Sequence, residues 1–159
     1  MDLKKEKIFK VRKANIKDAK FTFNLFNENV SNKKFFTKKK INFNDHLKWY
    51  ENRIKKKFFY ICYAKERIGF LRLENISKKD LSVSIAIGRK YQNKNYGKNF
   101  FEEILDKKII KKYNIWAFIK SKNLASNKFF KTLGFKKKKE NKYRKEKYLK
   151  IFCKVKSER

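Results

Sequence analysis

A basic, polar loop between two apolar segments has the residue types and the spacing of an anion site. Residues 88–97 are mostly Lys, Arg, Asn and Gln and end at Gly97, which is followed by an apolar segment of helical period. The first backbone N–H groups of a helix have no partner within it, and the helix dipole adds partial positive charge there. A glycine also lets an anion approach the backbone closely. The loop therefore predicts a phosphate site, to which four basic side chains would add full charges: Arg89, Lys90, Lys94 and Lys98.

The elements that must position this loop are a strand before it and a helix after it. In residues 81–87 apolar side chains alternate with small ones, which is the period of a strand with one face in the core. The apolar positions are Leu81, Val83, Ile85 and Ile87. In residues 98–110 the apolar positions recur at helical spacing: Phe100, Phe101, Ile104, Leu105 and Ile109. We therefore predict the order strand, basic loop, helix.

The rest of the chain predicts an α/β fold, with helices on both faces of a partly parallel, mixed sheet of about seven strands. Predicted strands are Ile8–Arg12, Phe58–Ala64, Arg67–Leu73, Ile115–Lys120, Phe135–Glu140 and Lys147–Val155. Further helices are predicted after the turn 15–18, after Asn44 as N-cap, and over Ala125–Leu133 before Gly134. Residues 31–40 are predicted to be a loop, in which Phe35 and Phe36 lie in the core or, as the less favoured alternative, contact substrate. We expect one domain over residues 1–159.

Composition excludes several classes of protein. The 159 residues carry a net charge of +32, but 40 of the 47 basic residues are Lys, and Asn (16) and Phe (17) are also abundant. A genome rich in A and T accounts for all three excesses, whereas a nucleic-acid surface accounts only for Lys, so no specific nucleic-acid partner is expected. Cys62 and Cys153 lie in strand-like segments and are predicted to be buried thiols, and with a single histidine we expect no metal site. Without a membrane-spanning run or a signal peptide, the expected location is the cytoplasm.

Two ordered motifs resemble the GNAT N-acetyltransferase superfamily. Residues 92–97, QNKNYG, resemble its pyrophosphate loop Q/R-x-x-G-x-G/A, with Asn95 in place of the first glycine. Asn tolerates a left-handed backbone better than most residues do. Residues 123–135, NLASNKFFKTLGF, resemble the later family segment N-x-x-(A/S)-x-x-(L/F)-(Y/F)-x-x-x-G-F. The resemblance implies the GNAT acyl-CoA N-acyltransferase fold and acetyl transfer from acetyl-coenzyme A to an amine, with no metal.

The resemblance also implies the residues that hold acetyl-coenzyme A. In this family the donor lies where two neighbouring strands separate, here 81–87 and 115–120, and backbone groups of Ile85 and Ile87 would pair with the pantetheine arm. The backbone of the loop would hold the pyrophosphate, through Gln92, Asn93, Lys94, Asn95, Tyr96, Gly97 and Lys98. Asn123 is the family's position for a contact near the arm, although a helix cap is an equal alternative. Ser126 and Phe130 complete the predicted donor site.

The sequence does not identify a single general acid or general base for the reaction. Many relatives have a Tyr that protonates the leaving thiolate, at the position that Phe130 occupies here, so no general acid is assigned. The candidate bases are His46, Glu74 and Ser84. His46 has the most suitable intrinsic pKa, Glu74 ends a strand beside the expected cleft, and Ser84 would act through a hydrogen bond or water.

A more detailed resemblance concerns the acceptor. An H-x-x-W-(F/Y) helix and an I-G-x-x-R strand resemble the amino-sugar N-acetyltransferases of the pseudaminic acid pathway, which implies the 4-amino group of a nucleotide-linked sugar as acceptor. Arg72 would bind a diphosphate, and Trp49 or Tyr50 would stack on a base or sugar, although both fit equally well in the core. Three alternatives stay open: a protein N-terminal acetyltransferase of the ribosomal type, a non-catalytic coenzyme A-binding domain, and a nucleic-acid-binding domain. The oligomeric state, with a homodimer as one option, is also open.

Overall fold

A single seven-stranded sheet carries the fold in a computed structural model, which describes residues 8–31, 39–143 and 146–154. The strands are β1 (Lys10–Lys13), β2 (Phe59–Tyr63), β3 (Arg67–Asn75), β4 (Asp80–Ile87), β5 (Asn114–Lys120), β6 (Lys136–Tyr143) and β7 (Glu146–Lys154). Their spatial order is β1-β2-β3-β4-β5-β7-β6. The β4–β5 pair is parallel and every other pair is antiparallel. The predicted α/β class and mixed sheet are confirmed.

In the described residues, four α-helices cover the two faces of this sheet: α1 (Ala19–Ser31), α2 (Phe43–Ile54), α3 (Tyr96–Leu105) and α4 (Leu124–Thr132). Leu25 of α1 and Tyr50 of α2 pack with Phe59 and Phe70 on one face. Phe100 and Phe101 of α3 and Phe130 of α4 are in the core cluster of the other face, with alternate residues of β2 to β5. The strand period in residues 81–87 was predicted correctly, because Leu81, Val83, Ile85 and Ile87 all face this second core. Cys62 is buried there, and burial raises the pKa of its thiol to about 12.

The parallel β4–β5 pair stays together over only part of its length. Its register runs Asp80 with Asn114, Leu81 with Ile115 and Ser82 with Trp116, and there it stops. Both strands continue, β4 to Ile87 and β5 to Lys120. On their outer sides they stay paired, with β3 as far as Ile87 and with β7 as far as Lys120. The backbone groups that would join β4 to β5 beyond Ser82 and Trp116 therefore face a gap between the strands.

Asp18 holds the start of α1 against the sheet. It ends a short 3₁₀ helix, Ile16–Asp18, whose N-cap is Asn15. Its fully buried carboxylate accepts two hydrogen bonds from Arg12 of β1, at 2.7 and 2.8 Å, and one from Arg67 Nε of β3 at 2.6 Å. The Asn15 amide donates a fourth, at 2.9 Å. Although burial opposes its ionisation, the hydrogen bonds from Arg12, Arg67 and Asn15 lower the pKa of Asp18 to about 2.

Two of the predicted helix boundaries were wrong. The N-cap of α2 is Asn42, not Asn44: Asn42 has an extended backbone and its side chain accepts from the Asp45 amide at 2.9 Å. Helix α3 ends at Leu105, and Ile109, expected on its apolar face, is 40% exposed in the following turn. Gly134, with φ of 84°, follows the end of α4 as predicted. Phe35 and Phe36 lie outside the described residues.

Candidate active site

A cleft of about 300 Å³ opens where β4 and β5 separate. Helices α1 and α2 supply one side of it and α4 supplies the other. The lining residues are Thr22, Phe26, Asn29, His46, Trp49, Phe59, Phe70, Arg72, Ser82, Val83, Ser84, Ile85, Ala117, Phe118, Ile119, Asn123, Ser126, Phe129 and Phe130. The cleft therefore has an aromatic wall with a few polar groups, which is the usual character of a small-molecule site.

The basic loop leaves the end of β4 and leads directly into α3. The Gln92 side chain donates through Nε2 to the Ile87 carbonyl at 2.9 Å, which ties the loop to the strand. Asn93 and Asn95 both have a left-handed backbone, with φ of 58° and 62°. Asn95, which stands in place of the family's glycine, is the N-cap of α3 and makes no side-chain capping bond. Asn is one of the few residues other than Gly that adopt this conformation readily.

The first turn of α3 has the features of an anion site. The first hydrogen bond of the helix runs from the Asn99 amide to the Asn95 carbonyl, at 3.0 Å. The amides of Tyr96, Gly97 and Lys98 come before it and therefore have no acceptor within the helix. No acidic residue lies in that turn. Asn93, Lys94, Asn95 and Lys98 are exposed. Residues 92–98 do not line the cleft itself; they follow the end of β4 at Ile87 and a short 3₁₀ helix, Arg89–Tyr91.

Close packing favours a residue without a side chain at position 97. Its backbone is helical, and a Cβ there would lie 3.2 Å from Cε2 of Phe129 and 3.4 Å from Cγ1 of Ile87. The first contact is tighter than most Cβ contacts in proteins, so the Phe129 ring would have to shift slightly to accept a side chain here. Gly97 thus lets α3 start close to Phe129, which lines the cleft. Gly97 was predicted from the sequence to allow close approach of an anion, and its packing against Phe129 was not predicted.

Helix α4 brings its predicted residues to the cleft. Asn123 is the N-cap, and its side chain accepts from the Ser126 amide at 3.1 Å, so its capping role is observed. Phe130 is 5% exposed and packs edge-on against Phe101 and Phe135, with ring centroids 5.8 and 5.0 Å apart. Asn123, Ser126 and Phe130 all line the cleft. Phe130 is therefore both a core residue and part of the cleft wall.

His46 and Trp49 face the cleft from α2. The His46 ring is 2% exposed, and its Nε2 lies 3.1 Å from Thr22 Oγ1 of α1. Its centroid is 5.5 Å from Trp49 and 5.6 Å from Tyr50, on which it stacks. Burial lowers the pKa of His46 below its ordinary value, while a hydrogen bond with the Ala19 carbonyl acts in the opposite direction. Burial therefore favours the neutral imidazole.

Arg72 crosses the floor of the cleft from β3. Its guanidinium lies 4.9 Å from the centre of the Trp49 ring, and Nη2 donates to Ser84 Oγ at 3.4 Å. Nε is buried without a hydrogen bond and lies 3.6 Å from Glu74 Oε1. Burial lowers the pKa of Arg72, although the Glu74 carboxylate raises it. An arginine stays charged under such a shift, so the cleft holds one permanent positive charge from the described residues that line it.

Two of the candidate site residues do not line the cleft. Glu74 is not a free base beside the cleft: its carboxylate pairs with Arg53 of α2 at 2.5 Å, and it is not among the lining residues. Tyr50 does not offer its ring to a substrate. It is 0% exposed, and its hydroxyl donates to the Asn15 carbonyl at 3.0 Å. Both residues were predicted from sequence alone, which does not show the partner that a neighbouring helix or turn provides.

Three residues of α1 that line the cleft were not predicted from the sequence as site residues. Thr22, Phe26 and Asn29 all face the cleft. They fall at i, i+4 and i+7, which is one stripe of a helix. That spacing was visible in the sequence, but the apolar side of α1 was assigned to Phe21, Leu25 and Phe26, and the two polar members of the stripe were not considered.

Comparison with known proteins agrees with this geometry. The family model described as an acetyltransferase (GNAT) domain matches residues 9–136. The chain belongs to the GNAT acetyltransferase family. This family assignment confirms the predicted enzyme class and its acetyl donor, acetyl-coenzyme A. A sequence search among curated proteins gave no match.

Solved GNAT structures share the fold at low sequence identity. The yncA protein of Salmonella typhimurium, solved with its cofactor acetyl-coenzyme A, is 17% identical, with a TM-score of 0.80 over 95% of this chain and 96% of that one. A ribosomal-protein-alanine N-acetyltransferase from Brucella melitensis is 16% identical, with a TM-score of 0.79 over 92% and 99%. The spermidine N-acetyltransferase of Vibrio cholerae, solved with coenzyme A and spermine, is 17% identical, with a TM-score of 0.80 over 93% and 96%. These acceptors differ, so the fold alone does not identify the acceptor of this GNAT enzyme.

The geometry of the GNAT site fits the acetyl donor. The separated strands leave backbone groups of β4 beyond Ser82 facing the gap between β4 and β5, as an amide-containing arm requires. The uncapped first turn of α3 suits a diphosphate. Among the described residues, no group of three or more His, Cys, Asp or Glu side chains could hold a metal ion. None of the helices in the described ranges is long and apolar enough to cross a membrane.

Proposed function

We propose that this enzyme acetylates the 4-amino group of a nucleotide-linked amino sugar, of the kind used in pseudaminic acid biosynthesis, in the cytoplasm. The observation that carries the proposal is the Arg72 guanidinium over the Trp49 ring at the cleft. A planar cation beside an aromatic face suits an acceptor that has both an anionic group and a ring to stack. A nucleotide sugar has its diphosphate, its base and its sugar ring in one molecule.

The charge of the cleft separates this acceptor from the cationic alternatives. None of the described residues that line the cleft is Asp or Glu, and Arg72 is charged. A polyamine acceptor has further ammonium groups, and each would be repelled by Arg72 without a carboxylate to pair with. A basic N-terminal peptide meets the same repulsion from a chain of net charge +32. The anionic acceptor is favoured on both grounds.

Acetyl-coenzyme A would bind along the gap between β4 and β5. Backbone groups of Ile85 and Ile87 would pair with the pantetheine amides, and the amides of residues 92–98 would hold the pyrophosphate, with Lys94 and Lys98 adding charge. Asn123 and Ser126 lie at the N-terminus of α4 beside the same gap. The phenyl ring of Phe130 excludes water and gives no proton, so the thiolate would take its proton from solvent.

His46 is the candidate base that the geometry favours. It lines the cleft, whereas Glu74 is held in ion pairs with Arg53 and Arg72. Ser84 also lines the cleft, but its hydroxyl accepts from Arg72. As the amine attacks the acetyl carbon, it must lose a proton, and a neutral imidazole can take it. Ser84 would then hold Arg72 and the acceptor in place.

Coenzyme A release measured with a thiol reagent tests the acceptor directly. A UDP-linked 4-amino sugar is expected to support release, whereas spermidine and an N-terminal alanine peptide are expected not to do so. Acetyl-coenzyme A alone should raise the melting temperature, because a ligand that binds only the native state stabilises it. Release with spermidine or the peptide, and none with the nucleotide sugar, would exclude the proposed acceptor.

The variant Arg72→Gln tests the residue that carries the proposal. A hydrogen bond to a charged group contributes roughly 1.5–3 kcal/mol, so kcat/KM for the nucleotide sugar should fall about 10- to 100-fold, mainly through KM. The affinity for acetyl-coenzyme A should not change. Lys48→Gln is the matched control, since it removes one charge from an exposed position on α2 beside Trp49. Equal effects of the two variants would show that Arg72 does not contact the acceptor.

A further inference from the structure

His46 and Thr22 form a buried polar pair at the cleft wall, 24 residues apart in the sequence. Thr22 is 1% exposed and His46 is 2% exposed. Thr22 Oγ1 lies 3.0 Å from the carbonyl of Ala19 and 3.1 Å from His46 Nε2. The other ring nitrogen, His46 Nδ1, is buried and has no hydrogen-bond partner among the described residues. A buried polar atom without a partner is costly and uncommon.

Counting protons at this pair identifies the tautomer of the ring. A hydroxyl has one hydrogen to donate. We assign that hydrogen to the Ala19 carbonyl, which can only accept, so that the Thr22 oxygen accepts from His46 and Nε2 carries the ring proton. A neutral imidazole has only one such proton. Nδ1 therefore has a free lone pair, and an acceptor amine that donated a hydrogen to it would supply the missing bond.

We propose that Thr22 is a positioning residue, which holds His46 in the tautomer whose Nδ1 takes the proton of the attacking amine. This inference rests on the proposed acetyl transfer to an amine. The amine nitrogen forms a bond to the acetyl carbon, and the carbon–sulfur bond breaks with its electron pair leaving on sulfur. The proton lost by nitrogen goes to Nδ1, giving an imidazolium that is held by Thr22 through Nε2–H. Release of that proton to solvent or to the thiolate restores the starting state.

The groups around the ring keep it neutral before the reaction. Tyr50 stacks on it, with its hydroxyl turned to the Asn15 carbonyl. Lys20 of α1 lies over the Phe23 and Phe43 rings that flank the imidazole. From the sheet, Arg72 lies across Trp49. Glu74 pairs with Arg72, and burial of the imidazole among these groups favours its neutral form.

Nitrogen NMR on protein labelled at histidine tests the tautomer without any substrate. The chain has one histidine, so the spectrum contains one imidazole. In the native protein we expect the proton on Nε2 and an unprotonated Nδ1. Thr22→Ser keeps the hydroxyl and should keep that pattern, whereas Thr22→Val should give a mixture. Thr132→Val removes a similar hydroxyl-to-carbonyl bond on α4 and should leave the pattern unchanged. A proton on Nδ1 in the native protein would overturn the proposal, whether or not the variants fold.

Kinetics with whichever amine the enzyme acetylates test the consequence for the reaction. One net hydrogen bond imposes a ratio of about two- to tenfold on a two-tautomer equilibrium, so Thr22→Val should reduce the active tautomer from roughly 70–90% of the protein to about half. We therefore expect kcat to fall by up to about twofold, with KM for acetyl-coenzyme A unchanged. His46→Asn should lower kcat by about 10²- to 10⁴-fold. In the His46→Asn background, Thr22→Val should have no further effect on kcat. Additive effects of the two substitutions would contradict the positioning role. The expected tautomer without acetylation of a nucleotide sugar would contradict the proposed acceptor instead.

Discussion

Replacing Asp18 by asparagine should destabilise the whole domain, because this carboxylate joins three elements. It is fully buried and accepts hydrogen bonds from Arg12 of β1, Arg67 of β3 and the Asn15 amide. Its pKa falls from 3.8 to about 2 in the folded protein. One pKa unit corresponds to about 1.4 kcal/mol, so ionisation of Asp18 contributes roughly 2 kcal/mol to stability at pH 7. Leaving the two guanidinium groups without their carboxylate can raise the loss to about 5 kcal/mol.

The stabilisation by Asp18 should depend on pH in a defined direction. Because the folded pKa is lower than the unfolded one, the contribution of Asp18 is complete above pH 3.8 and is lost as the pH falls through about 2. The difference in the free energy of unfolding between the native chain and Asp18→Asn should therefore be constant near neutral pH. It should shrink between pH 4 and pH 2, where the native carboxyl is also protonated.

Urea unfolding followed by circular dichroism, repeated from pH 7 to pH 2, measures that difference. Asp106→Asn is the matched control, since it makes the same charge change at an exposed position after α3 and should stay within about 0.5 kcal/mol of the native chain. The reasoning is refuted if Asp18→Asn is as mild as Asp106→Asn at pH 7. It is also refuted if the loss has the same size at pH 2, because amide packing rather than charge would then be responsible.

Two further predictions concern the loop that follows β4 and the pairing of β4 with β3. Gln92→Leu removes the hydrogen bond from the loop to the Ile87 carbonyl. Loss of a net bond of about 0.5–1.5 kcal/mol should weaken acetyl-coenzyme A binding about two- to tenfold in calorimetry, while KM for the acceptor stays the same. Unchanged affinity would mean that the loop does not need this bond to hold the donor. Gly69→Ala would bring a Cβ to 2.4 Å from the Ala86 carbonyl oxygen on the paired strand. We therefore expect the free energy of unfolding, measured in urea, to fall by about 1–3 kcal/mol. An unchanged free energy of unfolding would show that β3 and β4 can separate there without cost.

Local patterns were sufficient for the elements of the fold. The period of two in residues 81–87, the helical period after Gly97 and the Gly134 stop are all properties of short segments, and each was recovered in the structure. The α2 cap was placed at Asn44 instead of Asn42, because both are Asn residues before the same apolar stripe and only backbone geometry distinguishes them. The single domain over residues 1–159 stays a prediction.

The same distinction, between local patterns and contacts of distant elements, applies to the residues of the site. The residue types for an anion loop and a polar cleft, including His46, Trp49, Arg72 and Ser84, could be read from the chain because motifs and periods are local. Contacts between distant elements could not be read. Glu74 is paired because Arg53 of α2 lies over β3, Tyr50 is buried because α2 presses it onto the sheet, and His46 meets Thr22 only because α1 packs beside α2. Which side chains become partners depends on how helices pack across a sheet, and side-chain packing of that kind leaves no periodic signal in the sequence.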